Sequence, residues 1–121
     1  MHSKNRILIV DDEAITCSIL KFNLEKQYEV DVAYTGQEAL QKIEKNPPDC
    51  LLLDYRMPNM DGLEVLNLVK PKNPDLRIIM VTAVNDIAIG AKCILQGAFD
   101  YIVKPANMNK LKEKIKLALE V

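Results

Sequence analysis

Five short runs rich in β-branched and other apolar residues, at positions 7–10, 30–33, 50–53, 78–81 and 101–103, constrain this chain more than any other feature. Each is followed by a longer stretch with helical spacing, so the runs read as strands that cannot pair as hairpins and must be joined by crossovers. We number the strands β1 to β5 and the stretches after them, around positions 15–22, 39–43, 63–69, 88–95 and 111–119, α1 to α5. The expected buried stripes are Ile15, Ile19 and Phe22 in α1, Ala39, Leu40 and Ile43 in α2, and Leu63, Leu66 and Val69 in α3. In α4 they are Ala88, Ala91 and Leu95, and in α5 Leu111, Ile115 and Leu119, each set matching a helix with one apolar face.

Turn-forming residues fall between these runs: Thr35-Gly36, Asn46-Pro47-Pro48-Asp49, Pro58-Asn59-Met60-Asp61-Gly62, Pro71-Lys72-Asn73-Pro74 and Gly97. Leu51-Leu52-Leu53 and Ile78-Ile79-Met80-Val81 are apolar at consecutive positions, as strands are when helices cover both faces of a parallel sheet. Right-handed crossovers then predict an α/β fold, doubly wound and flavodoxin-like, with strand order 2-1-3-4-5. The length of 121 residues suits a single domain over 1–121, whose core needs neither metal nor disulfide staples.

With 16 Lys plus Arg against 17 Asp plus Glu, the chain lacks the basic excess of a domain that lives on phosphate backbones, so direct nucleic-acid binding is not expected. No apolar run approaches the roughly 20 residues that span a bilayer, and Met1-His2-Ser3-Lys4-Asn5-Arg6 leads straight into β1, so we expect a cytoplasmic protein without a signal peptide or membrane association. Cys17, Cys50 and Cys93 are widely spaced and form no CxxC, which points to core residues rather than a disulfide or zinc framework.

In open α/β sheets ligands bind outside the carboxyl ends of the strands, near the point where strand order reverses. Those ends carry Asp11-Asp12-Glu13 after β1, Asp54 after β3, Thr82-Ala83 after β4 and Lys104-Pro105 after β5. Two carboxylates about 4 Å apart repel by roughly 4 kcal/mol at an effective dielectric of 20, so Asp11, Asp12 and Asp54 on one rim call for a hard divalent cation. Oxygen ligands completed by water and phosphate oxygens suit Mg2+ best, with Mn2+ as the alternative. Lys104 and the Thr82 hydroxyl approach from the other side and fit the oxygens of a bound phosphoryl group.

The strings Ile7-Leu8-Ile9-Val10-Asp11-Asp12-Glu13, Leu51-Leu52-Leu53-Asp54-Tyr55-Arg56-Met57-Pro58 with Asp61-Gly62, Val81-Thr82-Ala83, and Gly97-Ala98-Phe99-Asp100-Tyr101-Ile102-Val103-Lys104-Pro105 occur in order and at strand ends. Together they resemble the receiver domain of two-component response regulators, of the chemotaxis-regulator-like type, over the whole chain from about Asn5 to Glu120. The resemblance implies that Asp54 accepts a phosphoryl group from a phosphohistidine on a sensor histidine kinase or phosphotransfer protein. It implies that Asp11, Asp12, Asp54 and the backbone carbonyl of Arg56 hold magnesium, that Thr82 and Lys104 contact phosphoryl oxygens, and that Lys104–Pro105 is a cis peptide. It further implies that Thr82 and Tyr101 act as switch residues and that the α4-β5-α5 face carries the signal to an output partner, an effector domain or a second copy of the chain. Such a domain is a signalling module that catalyses its own magnesium-dependent phosphorylation and dephosphorylation, not an enzyme with a separate substrate.

Plainer roles exist for each residue taken alone: Asp11 and Asp12 as helix caps, Glu13 as a first-turn acid, Thr82 as a cap, Lys104 as a solvated lysine, Tyr101 as a packed aromatic. Lys110, Lys112, Lys114 and Lys116 read as a solvated face, and Met57, Met60, Met80 and Met108 as filler. A magnesium-dependent aspartate phosphohydrolase is disfavoured because Arg56 stands where such enzymes place a second Asp. A flavodoxin-like electron carrier is disfavoured by the acidic Asp11-Asp12-Glu13-Ala14, and a phosphorylation-independent module by the full set of site residues. Ala106 replaces a Phe common among such domains, and Arg56 and Val84 stand where side chains govern water access to the phosphoryl group, so both are expected to affect its lifetime. The end at Val121, after α5, suits either a stand-alone receiver or a piece of a longer regulator or hybrid kinase.

Overall fold

The computed structural model describes residues 4–120. The expectation of no signal peptide rests partly on the first three residues, which lie outside the described ones, as does Val121. The strands are β1 (Arg6–Val10), β2 (Glu29–Ala33), β3 (Cys50–Asp54), β4 (Arg77–Thr82) and β5 (Asp100–Val103). The helices are α1 (Ala14–Leu24), α2 (Gly36–Lys45), α3 (Gly62–Val69), α4 (Ile87–Leu95) and α5 (Met108–Glu120), with a 3-10 turn, Val84–Asp86, ahead of α4. All pairings are parallel and the order is β2-β1-β3-β4-β5, the doubly wound flavodoxin-like α/β fold expected from the alternation of runs. Among the described residues, no helix is long and apolar enough to cross a membrane.

The period of two along each strand divides the core between the two faces of the sheet. Leu8, Val10, Leu51, Leu53, Ile78 and Met80 share one cluster with Ala39, Ile43, Val65, Leu66 and Cys93. Ile7, Ile9, Cys50, Leu52, Ile79, Val81 and Ile102 share the other with Cys17, Leu20, Leu24, Leu111 and Ile115. This is why the central strands are apolar at consecutive positions between their polar ends, whereas edge strand β2 exposes Glu29 and Asp31. The three cysteines are buried and free, and Met57 and Met80 fill the core.

Two helices sit in a different phase from the expected one. In α1 the residues facing the sheet are Cys17, Leu20 and Leu24, while Ile15, Ile19 and Phe22 are exposed to 77%, 53% and 68%. The turn that precedes α1 sets this phase: the Asp11 carboxylate accepts the Glu13 N–H at 2.9 Å and the Glu13 carbonyl accepts the Cys17 N–H at 3.1 Å, which swings Cys17 under the helix. In α4 the Ala88, Ala91 and Leu95 stripe faces solvent, and Gly90 and Cys93 are buried in its place. A Cβ on Gly90 would lie 2.8 Å from Cγ of Tyr101, so the aromatic ring rests on bare helix backbone where a larger residue would hold α4 away. A glycine inside a helix costs up to about 1 kcal/mol relative to alanine, and the close ring contact is the packing reason for it here. The lysine-rich helix also departs from a plain solvated face, because Lys114 Nζ pairs with the Asp100 carboxylate at 2.6 Å.

Candidate functional site

The carboxyl ends of β1, β3, β4 and β5 form one rim. Register places Asp54 beside Val81 and Thr82 beside Val103, and the Tyr55 N–H donates to the Val81 carbonyl at 3.2 Å. The Lys104 N–H donates to the Thr82 carbonyl at 2.7 Å, fixing the segment that carries the lysine, and the Lys104–Pro105 bond that follows is cis.

The rim brings Asp11, Asp12 and Asp54 together, with one carboxylate oxygen from each lying within 4.8 Å of the others. Asp11 and Asp54 are buried, and Asp12 opens to solvent. Lys104 Nζ bridges them, 3.1 Å from Asp11 Oδ2 and 3.3 Å from Asp54 Oδ1, with Glu13 Oε1 at 3.4 Å. Glu13 therefore leans toward the lysine from its place ahead of α1, where its side chain makes no cap. Burial and the neighbouring Asp11 charge push the Asp54 carboxyl up to about 6, with Lys104 pulling the other way. Burial acts to lower Lys104, but its bonds to the two aspartates outweigh that and raise it, so the ammonium is held charged. Cys17, whose thiol donates to the Asp11 carbonyl at 3.3 Å, is pushed up to about 11 by burial and by Asp11, which leaves it a neutral thiol and no nucleophile.

Thr82 is fully buried, and among the described residues its hydroxyl has no hydrogen-bond partner. A buried polar atom without a partner is costly and marks a place where another acceptor or donor belongs. Three acids offering only oxygen fit a hard divalent cation, and the lysine with the orphaned hydroxyl fits the oxygens of a phosphoryl group. Tyr101 sits half-buried on β5, against Gly90 of α4.

Three features lie outside the roles expected from motif and periodicity. Gly62, the first residue of α3, packs so closely under the site that a Cβ there would lie 2.4 Å from the Asp54 carbonyl oxygen and 2.9 Å from the Tyr55 Cα. Asp86 is buried and takes the Arg56 guanidinium in two bonds, Nε to Oδ2 at 2.6 Å and Nη2 to Oδ1 at 2.8 Å. The Arg56 side chain is thus committed to Asp86, a bond that lowers the Asp86 carboxyl and raises the guanidinium, while Val84 projects into solvent. The third is the α1 face: Ile15 follows Asp12 by three residues, so the exposed stripe of Ile15, Ile19 and Phe22 begins at the border of the acidic rim.

Comparison with known proteins agrees with the fold and places the chain in a family. The sequence pattern of the family described as response regulator receiver domain matches residues 7–116. A CheY-like response regulator receiver domain protein of Methanospirillum hungatei superposes with a TM-score of 0.92 at 39% identity, covering 98% of this chain and 95% of that one. A response regulator from Chloroflexus aurantiacus does so with a TM-score of 0.92 at 36% identity, covering 98% and 100%. Among curated proteins, the transcriptional regulatory protein ZraR of Salmonella typhimurium is 35% identical over 120 residues, 98% of this chain, and the chain spans 27% of its length. With the family pattern matched across nearly all the chain, the same fold in solved receivers and four polar strand ends meeting at one rim, this chain belongs to the response regulator receiver domains of two-component systems.

Proposed function

We propose that the single domain over 1–121 accepts a phosphoryl group on Asp54 from a phosphohistidine of a sensor histidine kinase or phosphotransfer protein. The observation that carries this is the meeting of Asp11, Asp12 and Asp54 within 4.8 Å, bridged by Lys104. Asp11, Asp12, Asp54 and the backbone carbonyl of Arg56 would hold Mg2+, or Mn2+ in its place. When bound, the cation supplies charge neutralisation at the transferring phosphoryl group.

The residues of the chain do the rest. An oxygen of Asp54, fixed at the end of β3, attacks phosphorus; the bond to the imidazole nitrogen of the donor breaks and the imidazole leaves with the electron pair. The Lys104 ammonium and the Thr82 hydroxyl receive phosphoryl oxygens, which gives the buried hydroxyl the partner it lacks among the described residues. Thr82 and Tyr101 then shift the balance between inactive and active shapes, read at the α4-β5-α5 face by an output partner, an effector domain or a second copy. Reversing a 1:99 balance takes roughly 5.5 kcal/mol, a scale that new charge-assisted bonds approach.

Intact-mass spectrometry after incubation with a small acyl phosphate tests the reading. One phosphoryl adduct is expected, dependent on magnesium and absent in Asp54→Asn; no adduct in the wild-type chain across donors would remove the phosphotransfer reading.

The exposed α1 stripe supports a protein donor, because a phosphohistidine that reaches Asp54 must come in over the surface next to the rim. Replacing Ile19 and Phe22 by Ala is expected to slow transfer from a phosphohistidine-bearing phosphotransfer protein about tenfold, as loss of central apolar anchors does. Adduct formation from the small acyl phosphate should stay unchanged in this variant. Equal slowing with both donors would mean that the stripe serves the fold and not the donor.

A further inference from the structure

Two segments flank the phosphoacceptor: the loop after β3, with Arg56 two residues beyond Asp54, and the 3-10 turn after β4, with Asp86 four residues beyond Thr82. They are cross-linked by the bidentate Arg56–Asp86 pair described above. The pair is lopsided, since the Asp86 side chain is 6% exposed and the Arg56 side chain 67%. Asp86 is also locked in place by its own backbone, whose N–H donates to the Ala83 carbonyl at 2.9 Å, and it immediately precedes α4. Whatever moves Asp86 therefore moves the start of α4.

From this geometry we infer that Asp86 is a positioning residue that ties the start of α4 to the phosphoacceptor loop through Arg56, and that the tie holds the unphosphorylated shape and weakens on phosphorylation. The sign follows from electrostatics. Phosphorylation replaces the single charge of the Asp54 carboxylate with a group carrying close to two, a net gain of about one negative charge, and places three strong acceptors two residues from Arg56. That group competes with Asp86 for a guanidinium whose stem is free in solvent, and it repels the Asp86 carboxylate. The pair is thus stronger before phosphorylation than after, and a contact that differs between two states biases the equilibrium between them. The inference rests on the reading of Asp54 as phosphoacceptor.

The test uses the whole chain with magnesium and beryllium fluoride, which adds to a carboxylate oxygen as a phosphoryl-like group, and follows the backbone amides of α4 by NMR. The unmodified and adduct-bearing wild type give the two end points. In unmodified Asp86→Asn, an isosteric change, and in Arg56→Gln, which alters a mostly exposed side chain, the α4 resonances are expected part-way toward the adduct position. The active population should rise about fivefold, at the lower end of ordinary coupling between sites, with a matching rise in the rate of adduct formation from a small acyl phosphate. The double variant should match the single ones, because the pair acts as a unit. Resonances that stay at the unmodified end point, slower phosphorylation, or effects that multiply in the double variant would each overturn the tie. A wild type that forms no adduct would instead overturn the receiver mechanism itself. Well-dispersed spectra of Arg56→Gln keep the test valid if Asp86→Asn fails to fold.

Discussion

Without divalent metal at pH 7.5, Asp54→Asn is expected to be more stable than the wild type by about 2 kcal/mol in urea denaturation. The wild-type carboxyl stands at about 6 in the fold against an ordinary 3.8, because burial and the Asp11 charge oppose its ionisation more than Lys104 favours it. At about 1.4 kcal/mol per pH unit that interval is worth about 3 kcal/mol, and water at the open rim reduces it to about 2. A raised folded pKa means that the folded state binds the proton more tightly than the unfolded one. The benefit is therefore complete below pH 3.8, is lost as pH rises through about 6, and stays lost above it. Asparagine does not titrate, so the gap between variant and wild type should open across that window and be flat beyond it. A gap that is absent at pH 7.5, or that does not change between pH 4 and 6, would show that the fold holds no ionised Asp54 against repulsion.

Magnesium should reverse the order. A cation that binds the folded wild type alone adds about 2.7 kcal/mol when present at 100 times its dissociation constant, whereas the variant has lost one of its carboxylates. On the proposed reading, the instability of the metal-free site and its affinity for a cation would have one origin: acids crowded more closely than one lysine can compensate. On that reading, the same crowding leaves Asp54 short of neutralising charge until a divalent cation binds, which would couple occupancy of the site to the shape of the domain.

The acidic rim was legible because strand ends converge in any sheet of this order, so Asp11, Asp12, Asp54, Thr82 and Lys104 needed only the correct strands to be brought to one edge. Helix phase was less legible. The apolar residues of α1 surround it, and periodicity selects the larger Ile15, Ile19 and Phe22, although Cys17, Leu20 and Leu24 are the ones buried. In α4 the buried face is carried by Gly90, which adds no hydrophobic signal, and by Cys93. Asp86 was invisible for a different reason: its significance lies in a partner 30 residues away, and only the fold brings the two together. Periodicity therefore reports which side chains avoid water, but not which close contact decides the face that turns inward.

Gly62→Ala is expected to cause the largest loss of stability among single methyl additions around the site, about 3 kcal/mol or more. The added Cβ would stand 2.4 Å from the Asp54 carbonyl oxygen and 2.9 Å from the Tyr55 Cα, both backbone atoms, with Met80 Cε at 3.0 Å. A side chain could turn away from such a contact, but these atoms belong to the end of β3 and the loop held by the Tyr55 N–H to Val81 carbonyl bond. Relief must come from moving α3, which would strain the Gly62 N–H to Tyr55 carbonyl bond at 2.8 Å, or from moving the backbone that aims Asp54. Overpacking a filled site ordinarily costs about 1 to 3 kcal/mol, and a clash with fixed backbone belongs at the top of that range. The preference of helices for alanine over glycine, about 1 kcal/mol, is smaller than the clash and largely absent at a first helical position next to the Asp61 cap. The variant should therefore unfold at markedly lower urea and, in the fraction that folds, form the phosphoryl adduct more slowly, because Asp54 no longer points along the end of β3. Wild-type stability in Gly62→Ala would mean that α3 packs less tightly beneath Asp54 than these distances require, and that the glycine has no part in placing Asp54.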